Sequence, residues 1–216
     1  MKSMALSNYE IMRNRMRTEF VRYDQERMIR KFHLAFDEAY LYLTFVCRDY
    51  RIDRRQGIVE WSTDGFQSAA EADYNESMTI YDVLCCSGED CRLAGTFCPL
   101  HQAKGTPKTM LAGNGMFQKT AERFQGRLGQ LEYACGLLGE PADMVGDVAA
   151  VLWAFPFLPV TLQYWEGDDE FSPSLKLMYD ENILDYMHFE TVYFMTAHLL
   201  KRIEETADAY VQEGQV

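Results

Sequence analysis

The sequence predicts an α+β domain in which an antiparallel or mixed sheet is packed by amphipathic helices. Three observations carry that expectation. Apolar residues recur at steps of three and four near both ends and in the middle of the chain, the period of a helix with one buried face. Between those stretches lie short β-forming runs bounded by turn residues. The two patterns also come in blocks rather than in regular alternation, which favours segregated layers over a doubly wound sheet.

Taken in order, residues 8–32 place Tyr9, Met12, Met16, Phe20 and Tyr23 on one helical face. Asp24 is a plausible cap for a second helix holding Met28, Ile29 and Phe32. Arg13, Arg15, Arg17, Arg22, Arg27, Arg30 and Lys31 make 1–31 a basic helical segment, read as a solvated face or as one that docks on the acidic remainder. From Tyr40 to Trp61 the period changes: Leu41, Leu43 and Phe45 alternate with Tyr42, Thr44 and Val46. Asp53-Arg54-Arg55-Gln56-Gly57 then supplies a turn before Ile58 to Trp61, giving a hairpin or meander near 40–61. A short helix is expected over 76–86. Residues 87–115 carry seven Gly and Pro breakers, from Gly88 to Gly115, and read as a long irregular loop.

Phe117, Ala121, Phe124, Leu128, Leu131, Cys135 and Leu138 form the clearest stripe, interrupted by Gly126 and Gly129 and closed by Gly139 and Pro141. Val148–Trp153 and Pro159–Trp165 read as strands. With the turn Gly167-Asp168-Asp169 and Leu175–Tyr179, the second of them makes a hairpin near 159–180. A long C-terminal helix over about 186–211 shows Val192, Met195, Leu199, Ile203, Ala207 and Tyr210 on one face.

The 216 residues suit a single domain, 1–216, with enough chain for a self-sufficient core. Thirty-three acidic against 21 basic residues leave a net charge of -12, which argues against nucleic acid and against an anionic membrane surface as partners. No run approaches 18 apolar residues, so no membrane span is expected. The first twenty residues lack the apolar core of a secretion signal. Six cysteines are too few for a disulfide scaffold, and the expected location is the cytoplasm.

Two constellations are chemically suggestive. Cys85, Cys86, Cys91, Cys98 and His101 fall within seventeen residues, and Cys98 and His101 have the two-residue gap that lets both side chains reach one ion. Cys85 sits at a core-facing helical position. The candidate metal ligands are therefore Cys86, Cys91, Cys98 and His101, for zinc or another divalent ion, with scattered loop thiols as the ordinary alternative. The second constellation is Trp165, Glu166, Asp168, Asp169, Glu170 and Phe171, where clustered carboxylates beside two aromatic walls would meet a cation or a polar ligand. Its ordinary alternative is a solvated hairpin turn. His33, His188 and His198 read as structural, and Cys135 as core. Gly113-Asn114-Gly115 reads as a helix entry with room for an anion. No nucleophile elbow or phosphate-binding glycine loop is present in the sequence.

The run at 158–171, LPVTLQYWEGDDEF, with Gly146-Asp147-Val148 before it and Leu177 to Asn182 and Tyr186 to Glu190 after it, resembles the C-terminal signature of an uncharacterised prokaryotic domain family. Ala134 to Gly139 is similar to the helix end that precedes that signature. The family is met mostly in anaerobes, some members near corrinoid and iron–sulfur proteins. The resemblance implies an intracellular domain of undefined function with no established catalytic residues, and the cysteines at 85, 86, 91 and 98 lie outside the shared pattern. Together these features favour a non-enzymatic ligand- or cofactor-binding accessory protein with a pocket at 165–171. A metal-dependent enzyme or metal-binding protein using 85–101 is the second expectation. The partner is a small molecule or another protein, and the apolar helical stripes would pack inside the domain or across a homodimer.

Overall fold

The computed structural model describes residues 7–108 and 115–213. Helix α1 (Asn8–Phe20) opens on a capping box in which Ser7 and Glu10 satisfy each other's backbone amides. Helix α2 (Gln25–Phe32) starts at Asp24, whose carboxylate accepts the Arg27 amide, and stops at His33, which turns left-handed at φ 51°. The first sheet follows as a meander: β1 (Ala35–Phe36), β2 (Tyr40–Phe45), β3 (Arg48–Asp53), β4 (Val59–Ser62) and β5 (Ala70–Glu71) pair antiparallel in chain order. The turn from β2 to β3 is made by Val46 and Cys47, both at positive φ, where Asn-Gly is usual. A β-branched residue there is strained. It is held by the Val46 amide donating to the Ala154 carbonyl at 2.8 Å and by Arg202 donating to the Val46 carbonyl.

Helix α3 (Tyr74–Cys86) carries a second capping box, Asp73 with Glu76. The expected loop after it holds β6 (Phe97–Cys98) and a tight 3-10 turn at Leu100–Gln102. Residues 109–114, and with them Gly113 and Asn114, lie outside the described residues. The stripe at 117–138 divides into α4 (Gly115–Phe124) and α5 (Leu128–Leu138), because Gly126 takes φ 70° and breaks the helical path. Gly139 caps α5 in an extended conformation and at once opens β7 (Gly139–Pro141). Strands β8 (Val148–Phe155), β9 (Leu158–Trp165) and β10 (Ser174–Asp180) complete a second antiparallel sheet, ordered β6-β10-β9-β8-β7. The expected final helix is the long α7 (Phe189–Glu213), preceded by a single turn α6 (Ile183–Tyr186).

The α+β architecture therefore stands. Its core lies where β8 and β9 meet the helices: Ala150, Leu152, Val160 and Leu162 are closed from solvent, as are Val192, Met195, Leu199 and Ile203 of α7 and Leu131 of α5. The two sheets join where Phe45 of β2 stacks on Phe155 of β8, ring centres 4.6 Å apart. Helix α1 packs on α3, yet Tyr9 and Met12 remain exposed. Its basic side fastens to the first sheet, where Arg13 donates to the Ala72 carbonyl and pairs with Glu71, and Arg17 donates to the Gln56 carbonyl. Among the described residues no helix is long and apolar enough to cross a membrane.

Candidate functional site

The acidic turn is built into its own surroundings. Trp165 ends β9 with the Lys176 ammonium over its ring. One Glu166 oxygen accepts the Gly126 amide at 2.6 Å, and Gln125 and Gly167 exchange two hydrogen bonds, so the turn is tied to the α4–α5 break. Asp168 accepts the amides of Glu170 and Phe171, each at 2.8 Å, which holds its carboxyl below the usual range. Asp169, Glu170 and Phe171 face solvent. The depression they border with Asp168 measures about 350 Å³. Its carboxylates do not converge on one point.

The four metal-ligand candidates are likewise dispersed. Cys91 lies in the loop after α3, Cys98 in β6 opposite Tyr179, and His101 on the exposed 3-10 turn beside Gln102. Cys86, at the end of α3, meets Asp82 and His188 instead. Cys85 and Cys135 are core residues, and all six thiols are free. Burial pushes the Cys135 thiol up to about 12.

The larger concavity lies elsewhere. Helix α2 ends in Arg27, Arg30, Lys31, Phe32 and His33, and this turn faces the loop Glu89–Leu93 across a cleft of about 800 Å³ floored by Phe157 and Tyr186. A second arm of about 620 Å³ shares Phe32, His33 and Phe157 and runs over Tyr42 and Phe66 to the ring of Tyr50. The aromatic wall is a column. Phe157 stacks on Phe32 at 4.6 Å, on Phe155 at 5.3 Å and on Tyr186 at 6.0 Å. Four cationic side chains, Arg27, Arg30, Lys31 and Arg92, border the first arm against the single carboxylate of Glu89. Arg27 is paired with Glu89, and Lys31 donates to the carbonyls of Ser87 and Gly88 and to the Ser87 hydroxyl. The guanidinium groups of Arg30 and Arg92 make no hydrogen bond or ion pair with any described residue, and Arg92 is held only through its carbonyl, which accepts from the Asn182 side chain at 3.1 Å. An aromatic wall beside uncommitted guanidinium groups suits a planar anion.

Behind that wall the stack continues from Phe155 through Phe45 to His198, 4.7 Å away, and ends in a buried polar centre. Arg48 reaches Glu76 at 3.3 Å and Glu205 at 2.8 Å while lying 4.0 Å over the Trp61 ring. The Tyr50 hydroxyl donates to Glu76 at 2.8 Å, so its oxygen is left to accept from His198 Nε2 at 3.2 Å. His198 Nδ1 then stands 3.5 Å from Glu76 with no hydrogen-bond partner. Although this spacing would suit an ion pair, burial drives the imidazole pKa down to about 3, so it is neutral and the carboxylate is balanced by Arg48. Burial also pushes the Tyr50 phenol far up.

Neither the cleft nor this centre follows from the sequence pattern. The one local signal is Asp73 followed three residues later by Glu76, a capping-box spacing that the short-helix expectation over 76–86 passed over. No curated protein and no solved structure is significantly similar to this chain. A family model does match, over residues 24–202, and it spans helix α2, both sheets, the cleft and, apart from Glu205, the buried centre. The chain belongs to that family, the domain of unknown function DUF3786.

Proposed function

We propose that the protein is a binding module for a small organic anion with a planar, apolar part. The cleft between α2 and the Glu89–Leu93 loop receives it, the rings of Phe32, Phe157 and Tyr186 take the apolar part, and Arg30 and Arg92 meet the negative charge. The observation that carries this reading is the pair of unpaired guanidinium groups beside an aromatic wall, in a chain whose net charge is -12. An exposed cation left without a partner in so acidic a protein attracts anions to one place. The cleft volume falls within the range of small-molecule sites. Compared with it, the acidic turn at 165–171 is shallow, and the carboxylates of Glu166 and Asp168 are engaged with backbone amides.

The test is titration with anilinonaphthalene sulfonate, a ring-bearing anion whose fluorescence rises on transfer from water. Saturable binding at one site is expected, weakened about tenfold or more by Arg30→Glu with Arg92→Glu, and weakened also by Phe157→Ala. Thermal melts of the charge variants should match the parent, because both arginines are exposed. Equal binding by the parent and the double variant would remove the cleft from consideration.

A further inference from the structure

Asp82 and Cys86 lie four residues apart on the last turns of α3, so their side chains share one face of the helix. Helix α3 packs along α7, and this packing sets His188, the residue before α7, against them. The Asp82 side chain is nearly closed from solvent. One of its oxygens accepts the His188 amide at 2.8 Å and the other lies 2.6 Å from His188 Nδ1. The Cys86 thiol approaches the same carboxylate, and the Tyr23 hydroxyl lies beside the sulfur at the α1–α2 junction. A donor atom from each of the three side chains lies within 4.8 Å of the other two. No other trio of His, Cys, Asp or Glu among the described residues does so.

From this geometry we infer that Asp82, Cys86 and His188 hold one zinc-type divalent ion, with a fourth position open on the solvent side. A helix cap accounts for only part of the arrangement. Capping α7 uses one oxygen of Asp82, and it requires neither an imidazole on the second oxygen nor a thiol on the same group. Thiolate, imidazole and carboxylate are the donor types that zinc takes from proteins, whereas magnesium and calcium take oxygen alone. Donors bound at about 2.0 Å to a tetrahedral ion sit roughly 3.3 Å apart. The ion would therefore open the 2.6 Å contact between Asp82 and His188. His188 is free to yield, with 67% of its side chain exposed, while Asp82 stays fixed at 10%. On binding, the thiol proton leaves to solvent, a sulfur–metal bond forms, and the imidazole keeps its proton on Nε2. Tyr23 then donates to the thiolate, the kind of outer hydrogen bond that orients a metal ligand.

This site is separate from the anion cleft, and its test does not depend on that proposal. The full chain, reduced and handled without oxygen, is titrated with Co²⁺ as a spectroscopic stand-in for zinc. The expected result is one equivalent bound, with a sulfur-to-cobalt charge-transfer band and the visible bands of a tetrahedral ion, displaced by zinc. Cys86→Ser and His188→Gln each abolish the charge-transfer band or reduce the bound fraction at least tenfold. Both positions are exposed, so the variants keep the parent's melting curve in the absence of metal. No charge-transfer band in the parent would overturn the inference. So would a band that survives in either variant, including one lost instead in Cys98→Ser or His101→Ala, which would assign the ion to the loop at 91–101.

Discussion

Tyr50 and His198 meet at 3.2 Å with both side chains closed from solvent, and the Glu76 carboxylate lies within reach of each. That contact joins three parts of the fold, since Tyr50 is on β3, His198 on α7 and Glu76 on α3. Arg48 supplies the charge that makes it tolerable. Replacing Arg48 by Ala leaves Glu76 buried and uncompensated, a change expected to cost about 3–5 kcal/mol. The paired replacement Arg48→Met with Glu76→Gln should recover much of that loss. Urea unfolding of the single and double variants measures both, and additive losses would contradict the coupling.

The same centre sets a pH dependence. His198 has a pKa near 3 in the fold, against an ordinary 6.5 in the unfolded chain, because burial disfavours its charged form. Between those values the unfolded chain binds a proton that the folded protein does not. The contribution to stability is therefore full above about pH 6.5 and declines as the pH falls toward 3, by up to about 1.4 kcal/mol per pH unit. His198→Gln should flatten this part of the stability–pH curve. A slope unchanged in the variant would place the effect on other groups.

Two neighbouring glycines, Gly136 and Gly139, should respond in opposite directions to Ala. A methyl group on Gly139 would lie 2.0 Å from the Val151 carbonyl oxygen, where β7 and β8 pair, so Gly139→Ala must push the strands apart and destabilise the fold by several kcal/mol. Gly136 lies inside α5 with nothing within 4 Å of the added carbon, and Gly136→Ala should stabilise by about 0.5–1 kcal/mol. Melting temperatures of the two variants are the readout, and shifts of the same sign would contradict the packing described.

At the acidic turn, Asp168 works on its own loop. Asp168→Ala should speed hydrogen exchange at the Glu170 and Phe171 amides, which donate to its carboxylate. It should leave anilinonaphthalene sulfonate binding at the cleft unchanged. Loss of probe binding in this variant would return the ligand site to 165–171.

The elements were legible wherever a local period decides them. The meander at 40–61 and the 159–180 hairpin follow from β-forming runs between turns, and the split at Gly126 follows from the one residue that tolerates its φ. The turn at Val46 and Cys47 was not legible. Neither residue favours positive φ, and the conformation is imposed by Ala154 and Arg202, more than a hundred residues away. The candidate sites fared likewise. Cys86 was visible as a donor, but Asp82 and His188 are 106 residues apart and only the docking of α7 on α3 joins them. Arg30 reads in the sequence only as part of the basic segment 1–31 and nothing there marks Arg92; the fold alone sets the two on one cleft.

The borders of the two sheets have a further consequence. Strands β1, β5 and β6 are two residues long and β7 three, whereas β8 and β9 inside the second sheet run to eight. A second copy that tried to extend either sheet would gain backbone hydrogen bonds over two or three residues before losing its partner. The apolar, proline-free strand from Val148 to Phe155 is thereby sequestered inside the second sheet, out of reach of templating by a neighbour. Aggregation of this protein should accordingly track its unfolded fraction, not its native concentration.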